Sequence, residues 1–372
     1  MTHIFERLGI RPVINGAATL TRLGGSIMPP EVWEAMRQAG QYYADITEVQ
    51  RAVGRRIAEL THNEAAYVCA GAAAGLTLAT AACITGTDPE KIARLPELAP
   101  TKEVIVHRSQ RNGYDYAIRQ VGVRLVEIGT AAGTTPADLE AALSDRTAAV
   151  FYFAGAHFAQ GALPLETVIA IAHRAGVPVI VDAAAQIPPA SNLWRFTQQG
   201  ADLAIFSGGK GLCGPQSTGL IVGRADLIEA VARNGNPYHA IGRPMKVSKE
   251  EMVGLLAALE WYLRQDEAAL LERYEAVVQT ILLAFREVPG VRAERAWPSE
   301  AGQPHARALL IFDTARLGLS RDAILQALRN GTPAIELAPA GADGLYINPQ
   351  TLQPGEEQII IARLRAILAG QA

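Results

Sequence analysis

Short, nearly continuous apolar runs recur over the first 224 residues, and stretches with helical periodicity separate several of them. Strands that are buried on both faces of a parallel sheet have this unbroken apolar character. The alternation of strands and helices predicts an α/β sandwich. The predicted strands are 65–69, 103–107, 123–128, 147–153, 177–182, 202–206 and 218–223.

Two helix starts carry local signals that agree with this pattern. Thr135 is a predicted N-cap with Pro136 in the first helical position. Ser248 and Glu251 have the spacing of a capping box at the start of "SKEEMVGLLAALEWYL". A second long helical pattern follows, and then a mixture of strand-like and helical segments that is about a hundred residues long, an ordinary domain size. We therefore predict a large α/β domain over 1–245, and bridging helices with a small α+β domain over 246–372.

Composition excludes several classes of function. The chain has 372 residues and a formal net charge of −3, whereas a nucleic-acid-binding protein needs a clustered basic excess. We see no signal peptide and no apolar run long enough to cross a bilayer. Three widely spaced cysteines suggest neither a disulfide framework nor a metal cluster. We expect a cytoplasmic protein with a small-molecule partner, no nucleic acid, no membrane and no metal.

Chemistry-bearing residues follow three of the predicted strands, where open α/β sheets bind their ligands. After 65–69, the small residues Gly71, Ala72 and Ala73 open a helix, whose N–H groups and dipole could hold a phosphate. Asp182 ends the run "VPVIVD", where a buried carboxylate needs either a cationic partner or an N-cap role. Taken alone, the small residues that open this helix are also compatible with simple close packing of the helix entry.

Lys210 lies in "FSGGKGLCGPQSTG", directly after the apolar run 202–206. A desolvated lysine has a lowered pKa and can act as an amine nucleophile. The glycines beside it would let a ring-bearing ligand approach the backbone. A surface turn is the alternative interpretation of this segment.

Together these features are what pyridoxal 5'-phosphate (PLP) requires. The phosphate needs a helix start, the pyridine nitrogen needs a carboxylate and the aldehyde needs a lysine. The order of cradle, Asp182 and Lys210 along the chain resembles that of fold-type I PLP enzymes. The combination therefore predicts a PLP site, although no single feature does so.

The resemblance extends to one family. "FSGGKGLCGPQSTGLIVGR", "RPVINGAATLTRLGGSIMPPEVWEAM" and "INPQTLQPGEEQIIIARLRAIL" resemble bacterial selenocysteine synthase, the L-seryl-tRNA(Sec) selenium transferase. The "VING" motif begins at about residue 13, which leaves no room for that family's N-terminal tRNA-binding domain, so we expect no tRNA substrate. "VIVHRSQRNGYDYAIRQVG" and "AGAHFAQGALPLE" are similar to the short branch that includes D-glucosaminate-6-phosphate ammonia-lyase.

This resemblance implies roles for individual residues. Lys210 would bind the cofactor aldehyde and act as the base at Cα, while Asp182 would pair with the pyridinium nitrogen. His157 would contact the cofactor's phenolic oxygen or protonate a leaving group, unless it is merely structural. The other candidates for cofactor binding are Gly71, Ala72, Ala73, Gln110, Gln186, Ser207 and Arg243. The candidates for substrate binding are Arg22, Ser109 and Arg111.

The implied reaction is α,β-elimination from a hydroxylated amino acid or amino-sugar acid such as D-glucosaminate 6-phosphate, which yields a 2-oxo acid and ammonia. Racemisation and aldol cleavage start from the same carbanion and stay open, since fold alone does not determine the reaction. Selenium or sulfur transfer and a non-catalytic PLP-fold binder are further alternatives. Enzymes of this type commonly build sites across a dimer interface, so we expect a homodimer or a higher homo-oligomer in which Arg243 and Arg22 serve the neighbouring subunit's site.

Overall fold

The computed structural model describes residues 4–130 and 132–370. Contacts within the chain group these residues into two packing units. The larger contains Ser26–Gln265 and Glu300–Gly302, and the smaller contains the described residues of Met1–Gly25, Asp266–Ser299 and Gln303–Ala372. The predicted domain boundary between residues 245 and 246 stays a prediction.

The strands alternate with helices through the larger unit, as the apolar runs predicted. In chain order the strands are β1 Val13–Asn15, β2 Ala65–Cys69, β3 Glu103–His107, β4 Arg124–Ile128, β5 Thr147–Phe153, β6 Val179–Asp182, β7 Leu203–Ser207, β8 Gly219–Gly223, β9 Val291–Ala296, β10 Arg307–Phe312, β11 Ala334–Glu336, β12 Ala338–Ala340 and β13 Gly344–Ile347.

The α-helices in chain order are α1 Ile4–Arg7, α2 Pro30–Ala39, α3 Ile46–Leu60, α4 Gly71–Thr85, α5 Pro89–Ala93, α6 Tyr116–Arg119, α7 Pro136–Ala142, α8 Ala156–Ala159, α9 Leu165–Arg174, α10 Asn192–Gln198, α11 Ala225–Asn234, α12 Lys249–Leu263, α13 Glu267–Phe285, α14 Thr314–Leu317, α15 Arg321–Asn330 and α16 Glu356–Leu368. Short 3₁₀ turns lie at Thr21–Leu23, Ala99–Thr101, Arg108–Gln110, Gly113–Asp115 and Pro349–Thr351. The predicted N-cap at Thr135 and the predicted capping box of Ser248 and Glu251 are confirmed, and the Thr135 cap is itself part of a capping box with Asp138.

The larger unit contains a seven-stranded sheet with the order β2-β8-β7-β6-β5-β3-β4. Strands β4, β3, β5, β6 and β7 are parallel, whereas β8 runs antiparallel to both β7 and β2. The carboxyl ends of β2, β7, β6, β5 and β3 therefore lie along one edge of the sheet, where β8 begins. The predicted mainly parallel α/β fold is confirmed.

Helix α4 packs directly on this sheet because small residues line it. An added Cβ at Gly75 would lie 2.8 Å from Ile205 of β7 and 3.2 Å from the Cys69 sulfur of β2. Most of the helix is buried, and it shares one apolar core with β2, β3, β5, β7 and β8. This close packing positions the first turn of α4 at the carboxyl end of β2.

The smaller unit contains an antiparallel sheet with the order β12-β13-β10-β9 and a parallel pair of β1 with β11. Its core includes apolar side chains from α13, α15 and α16 together with Leu310, Leu345 and Ile335. This is the predicted α+β arrangement. No helix in the described part of the chain is long and apolar enough to cross a membrane.

Candidate active site

The site residues predicted from three separate segments meet at the carboxyl edge of the larger sheet. Gly71 begins α4 directly after β2, Asp182 is the last residue of β6, and Ser207 is the last residue of β7. Lys210 follows in the loop between β7 and β8. Since adjacent strands are about 4.8 Å apart, the four strands from β2 to β6 span about 14 Å. The sheet order thus assembles groups that the sequence separates by more than a hundred residues.

The N-terminus of α4 has open backbone donors. No side chain caps it, and the N–H groups of Gly71, Ala72 and Ala73 make no hydrogen bond within the described residues. Gly71 has φ +80°, a left-handed conformation that suits glycine, and the three residues are partly or well exposed to solvent. Uncapped N–H groups together with the helix dipole form a site for an anion such as a phosphate.

Asp182 and Lys210 are an electrostatically linked pair. Burial raises the pKa of the Asp182 carboxyl, while a hydrogen bond from the Ala184 N–H (3.0 Å) and the positive charge of Lys210 act in the opposite direction. Burial lowers the pKa of the Lys210 amine, and the negative charges of Asp182 and Glu300 partly offset that effect. Each group is therefore desolvated, and neither forms an ion pair within 4 Å in the described chain. A cationic ligand atom beside Asp182 and a covalent partner for Lys210 would relieve both costs.

The glycines around Lys210 allow its loop to pack closely against other backbone segments. An added Cβ at Gly209 would lie 2.4 Å from the Gln216 Cα, and one at Gly211 would lie 2.1 Å from the Ile187 carbonyl oxygen. These positions are filled by the protein's own backbone. The glycines therefore let the lysine loop pack against neighbouring segments, and the approach of a ligand to this backbone stays a prediction.

Gln186 and His157 both bind the backbone of a distant segment. The Gln186 amide donates to the carbonyl of Ala301 (2.9 Å) and to that of Ala154 (3.3 Å). The His157 Nδ1 lies 3.0 Å from the carbonyl oxygen of Glu300. A carbonyl oxygen can only accept, so Nδ1 carries the hydrogen, and a neutral ring presents an unprotonated Nε2. His157 is exposed and its Nε2 makes no hydrogen bond within the described chain, whereas both Gln186 donors are engaged.

Segment 107–110 contributes buried polar groups next to the end of β5. The Gln110 amide oxygen accepts a hydrogen bond from the Phe153 N–H (3.0 Å), but its nitrogen has no partner of normal geometry among the described residues. The Ser109 hydroxyl is likewise buried without one. His107 is fully buried, and burial lowers its pKa to about 4, so it is neutral at physiological pH.

The predicted arginines are engaged by the protein's own groups. Arg111 pairs with the buried carboxylate of Asp115 and with Glu127. The Arg243 Nη1 lies 3.4 Å from the Asn236 side-chain oxygen, in the loop between α11 and α12. Within the described residues, neither arginine contacts Lys210 or Asp182.

Arg22 belongs to the smaller unit and has an anionic partner there. Its Nη2 lies 2.6 Å from a carboxylate oxygen of Glu336, which is buried and also pairs with Arg329. The Arg22 side chain is otherwise exposed, so this pair has little energetic weight on its own. The role predicted for Arg22 in a neighbouring subunit stays a prediction.

The sequence analysis missed Glu300, whose backbone carbonyl holds the His157 ring and whose negative charge acts to raise the pKa of Lys210. Residues 300–302 group with the larger unit although the chain on either side belongs to the smaller one. They follow Lys210 by 90 positions in a segment without helical or strand periodicity, "PSEAGQPH". No local signal in the sequence points to them. Among the described residues, no cluster of His, Cys, Asp and Glu could hold a metal ion.

The mainly parallel sheet, with this site at its carboxyl edge, defines a fold-type I PLP-dependent-enzyme fold. Solved structures agree. The chain matches the structure of D-glucosaminate-6-phosphate ammonia-lyase with a TM-score of 0.88 and 31% identity over 100% of this chain and 99% of that chain. A cysteine desulfurase from Escherichia coli matches with a TM-score of 0.60 and 18% identity over 100% of both chains, a likeness of fold alone.

The chain belongs to the L-seryl-tRNA selenium transferase (SelA) family, whose sequence profile matches residues 13–284. It is 34% identical to 5'-C-glycyluridine monooxygenase-decarboxylase from a Streptomyces species, over 99% of this chain and 92% of that protein. It is 33% identical to D-glucosaminate-6-phosphate ammonia lyase from Salmonella typhimurium, over 98% of each. These matches confirm the family predicted from the lysine segment.

Proposed function

We propose that this protein is a PLP-dependent lyase that catalyses α,β-elimination from a hydroxylated amino acid or amino-sugar acid such as D-glucosaminate 6-phosphate. The observation that carries the proposal is the desolvated pair Asp182–Lys210 beside the uncapped N-terminus of α4. The full-length similarity to the ammonia lyase supports it.

The residues present fit the cofactor. The open N–H groups of Gly71, Ala72 and Ala73 would hold its phosphate, and Ser207, at the end of β7, would add a hydroxyl donor. The buried Asp182 carboxylate would hold a proton on the pyridine nitrogen, and Lys210 would bind the aldehyde carbon. The cofactor supplies an electron sink for the pair of electrons left at Cα when its proton is removed.

Lys210 would move the first proton. Its lowered pKa increases the share of neutral amine at physiological pH, and only the neutral amine can act as a base. Nζ would take the proton from the substrate Cα. Asp182 would stay ionised beside the protonated pyridine nitrogen, because an ion pair favours the charged form of both groups.

His157 would assist the leaving hydroxyl. Glu300 fixes the ring through its carbonyl oxygen, so that Nε2 is the nitrogen that would take up a second proton and, in this imidazolium form, give it to the substrate. With that proton, the Cβ hydroxyl leaves as water, and hydrolysis of the product consumes one water and releases ammonia and a 2-oxo acid. The protein would need no external oxidant or reductant for this reaction.

The test is to incubate the PLP-loaded protein with D-glucosaminate 6-phosphate and with a panel of β-hydroxy amino acids. We expect equal amounts of ammonia and 2-oxo acid from at least one of them. The absence of any 2-oxo acid would refute the proposal. Loss of optical rotation without ammonia would indicate a racemase, and aldehyde release would indicate an aldolase. Uptake of O₂ with release of CO₂ would instead indicate a reaction of the kind named for the Streptomyces relative.

We also propose that the working unit is a homodimer with a small-molecule substrate and no nucleic acid partner. Large apolar side chains are exposed near the start of the larger unit: Ile27, Trp33, Tyr42 and Tyr43. An exposed group of this kind is typical of an interaction surface. Sedimentation equilibrium measures the mass directly, and a monomer at micromolar concentration would contradict the proposal.

A further inference from the structure

The two peptide groups on either side of Lys210 are each fixed by a hydrogen bond. The Gly209 carbonyl, which shares a peptide group with the Lys210 nitrogen, accepts from the Ser26 hydroxyl (3.0 Å). The Lys210 carbonyl accepts from the Cys213 N–H (3.0 Å). The backbone of Lys210 is therefore anchored before and after its Cα, so its side chain starts from a defined position.

The rest of the lysine loop packs on helix α12. An added Cβ at Gly208 would lie 2.7 Å from the Leu255 side chain, and one at Gly214 would lie 3.2 Å from the Ala258 Cβ. The Gly214 N–H also donates to the Gly208 carbonyl (2.8 Å), which closes the loop around Lys210. The two ends of the loop thus have fixed positions on α12.

The segment that carries Ser26 packs on the same helix. Ser26 lies shortly before α2, and α2 contains Met36. An added Cβ at Gly254 of α12 would lie 2.8 Å from the Met36 Cγ and 2.9 Å from the Pro215 Cγ of the lysine loop. Because α2 and the lysine loop share this packing surface, the elements on either side of the hydrogen bond from Ser26 to Gly209 are already in place.

Cys213, which anchors the Lys210 carbonyl, has a strained backbone. Its φ is +56°, in the left-handed region that residues other than glycine seldom adopt. Burial raises the pKa of its thiol, and a hydrogen bond with the Ser26 side chain acts in the opposite direction. Backbone strain of this kind persists where the surrounding structure enforces it and is concentrated at functional sites. Ser26 thus meets both anchors of Lys210.

We propose that Ser26 is a positioning residue for Lys210, and that its bond to the Gly209 carbonyl keeps the lysine amine within reach of the substrate Cα proton. The inference rests on the proposed function and adds a residue to it. A displacement of about 1 Å in a reacting group can lower the rate about 100-fold. Ser26 acts through the backbone, so its loss should slow proton removal and leave the affinity for the substrate near its original value.

The test compares Ser26→Ala, which removes the hydroxyl, with Ser26→Thr, which keeps it. The control is Ser191→Ala, which removes a part-buried hydroxyl of the larger unit that makes no hydrogen bond within the described residues. Initial rates of 2-oxo acid release by the PLP-loaded protein give kcat and KM. We expect kcat to fall about 10-fold in Ser26→Ala with KM within about 2-fold, since one hydrogen bond corresponds to a factor of about 10. Ser26→Thr should recover most of kcat, and Ser191→Ala should match the unmodified protein.

A second readout needs neither turnover nor PLP. The pH dependence of acylation of Lys210 in the PLP-free protein, followed by mass spectrometry, gives the midpoint at which its amine loses a proton. Burial lowers the pKa of this amine, and a loosened loop would let water reach it. The midpoint should therefore rise in Ser26→Ala and stay unchanged in Ser26→Thr.

A fall in the urea midpoint of Ser26→Ala with unchanged kcat and acylation midpoint would mean that Ser26 only stabilises the fold, and would overturn the inference while the proposed function stands. Equal losses of kcat in the alanine and threonine variants would also overturn it. If the unmodified protein releases no 2-oxo acid, the proposed function fails. The acylation midpoint then still decides whether Ser26 holds Lys210 in place.

Discussion

Replacing Gly211 with alanine would place a methyl group 2.1 Å from the carbonyl oxygen of Ile187 and 2.8 Å from its carbonyl carbon. Both atoms belong to the backbone, so no side-chain rotation can relieve the clash. Pro188 follows directly and further restricts movement of this backbone. Overpacking of this kind costs about 1–3 kcal/mol, and a clash with backbone belongs at the upper end. A loss of about 3 kcal/mol raises the unfolding equilibrium constant by about 150-fold.

Urea unfolding of the PLP-free protein, followed by tryptophan fluorescence, measures this loss. With a slope of about 3 kcal/mol per molar urea, the midpoint of the larger unit should fall by about 1 M. Gly113→Ala is the matched control, because an added Cβ there meets nothing within 4 Å. It should leave the midpoint unchanged or raise it slightly, as alanine restricts the unfolded chain.

The result distinguishes two explanations of the glycines beside Lys210. If they serve packing, Gly211→Ala weakens the protein in the absence of PLP. If they served only to admit the ligand, the variant would unfold at the same urea concentration as the unmodified protein and would lose PLP affinity alone. That second outcome would refute the reasoning from the Ile187 contact.

Two further predictions concern the cofactor site. Ala72→Pro removes one N–H at the start of α4, where proline is tolerated. Equilibrium titration should show PLP affinity weakened about 10- to 150-fold, with an unchanged circular dichroism spectrum. Unchanged affinity would contradict the phosphate site at the start of α4. Asp182→Asn should raise the thermal stability of the PLP-free protein at pH 8 yet reduce the stabilisation that PLP gives. Burial raises the pKa of Asp182 in the folded protein, so ionisation of this carboxyl lowers the free energy of unfolding as pH rises through that pKa. The stability gained in Asp182→Asn should therefore vanish under acidic conditions, and a gain that persists there would contradict the prediction.

Six of the seven strands of the larger sheet were predictable from the sequence because they are mostly buried and apolar, whereas the edge strand β4 is largely not buried. The predicted runs 65–69, 103–107 and 147–153 are strands over the same residues. The run 177–182 begins as a strand only at Val179, since Pro178 has no N–H to donate to a ladder.

The direction of β8 could not be read from its composition. Its five residues are all buried, as those of a central parallel strand would be, but it runs antiparallel to both neighbours. The reason is the connection. Residues 208–218, which join β7 to β8, contain no helix, whereas a parallel link is usually a crossover built around one. The apolar pattern reports burial, and the kind of connection reports direction.

Local sequence patterns mark only part of the candidate site. The groups predicted to hold the cofactor directly follow strands β2, β6 and β7, so sheet topology places them together and short motifs mark them. The turn at 300–302 has no such pattern, and only the tertiary fold brings its carbonyls to His157 and Gln186. Cofactor chemistry is therefore readable from the lysine segment, and the contacts that position His157 are not.

This separation has a consequence for a family whose members carry different reaction names, among them a selenium transferase, an ammonia lyase and a monooxygenase-decarboxylase. If PLP binding depends on the strand ends and the proton given to the leaving group depends on His157, then the second task can change without weakening the first. Substitutions at Ala72 or Asp182 should lower PLP affinity whatever amino acid is offered. A substitution at His157, whose ring is held by the turn at 300–302, should leave PLP affinity near its original value and lower the rate of elimination. Parallel losses of both quantities at His157 would mean that its ring supports the cofactor as well, and that the two tasks are not separable in this fold.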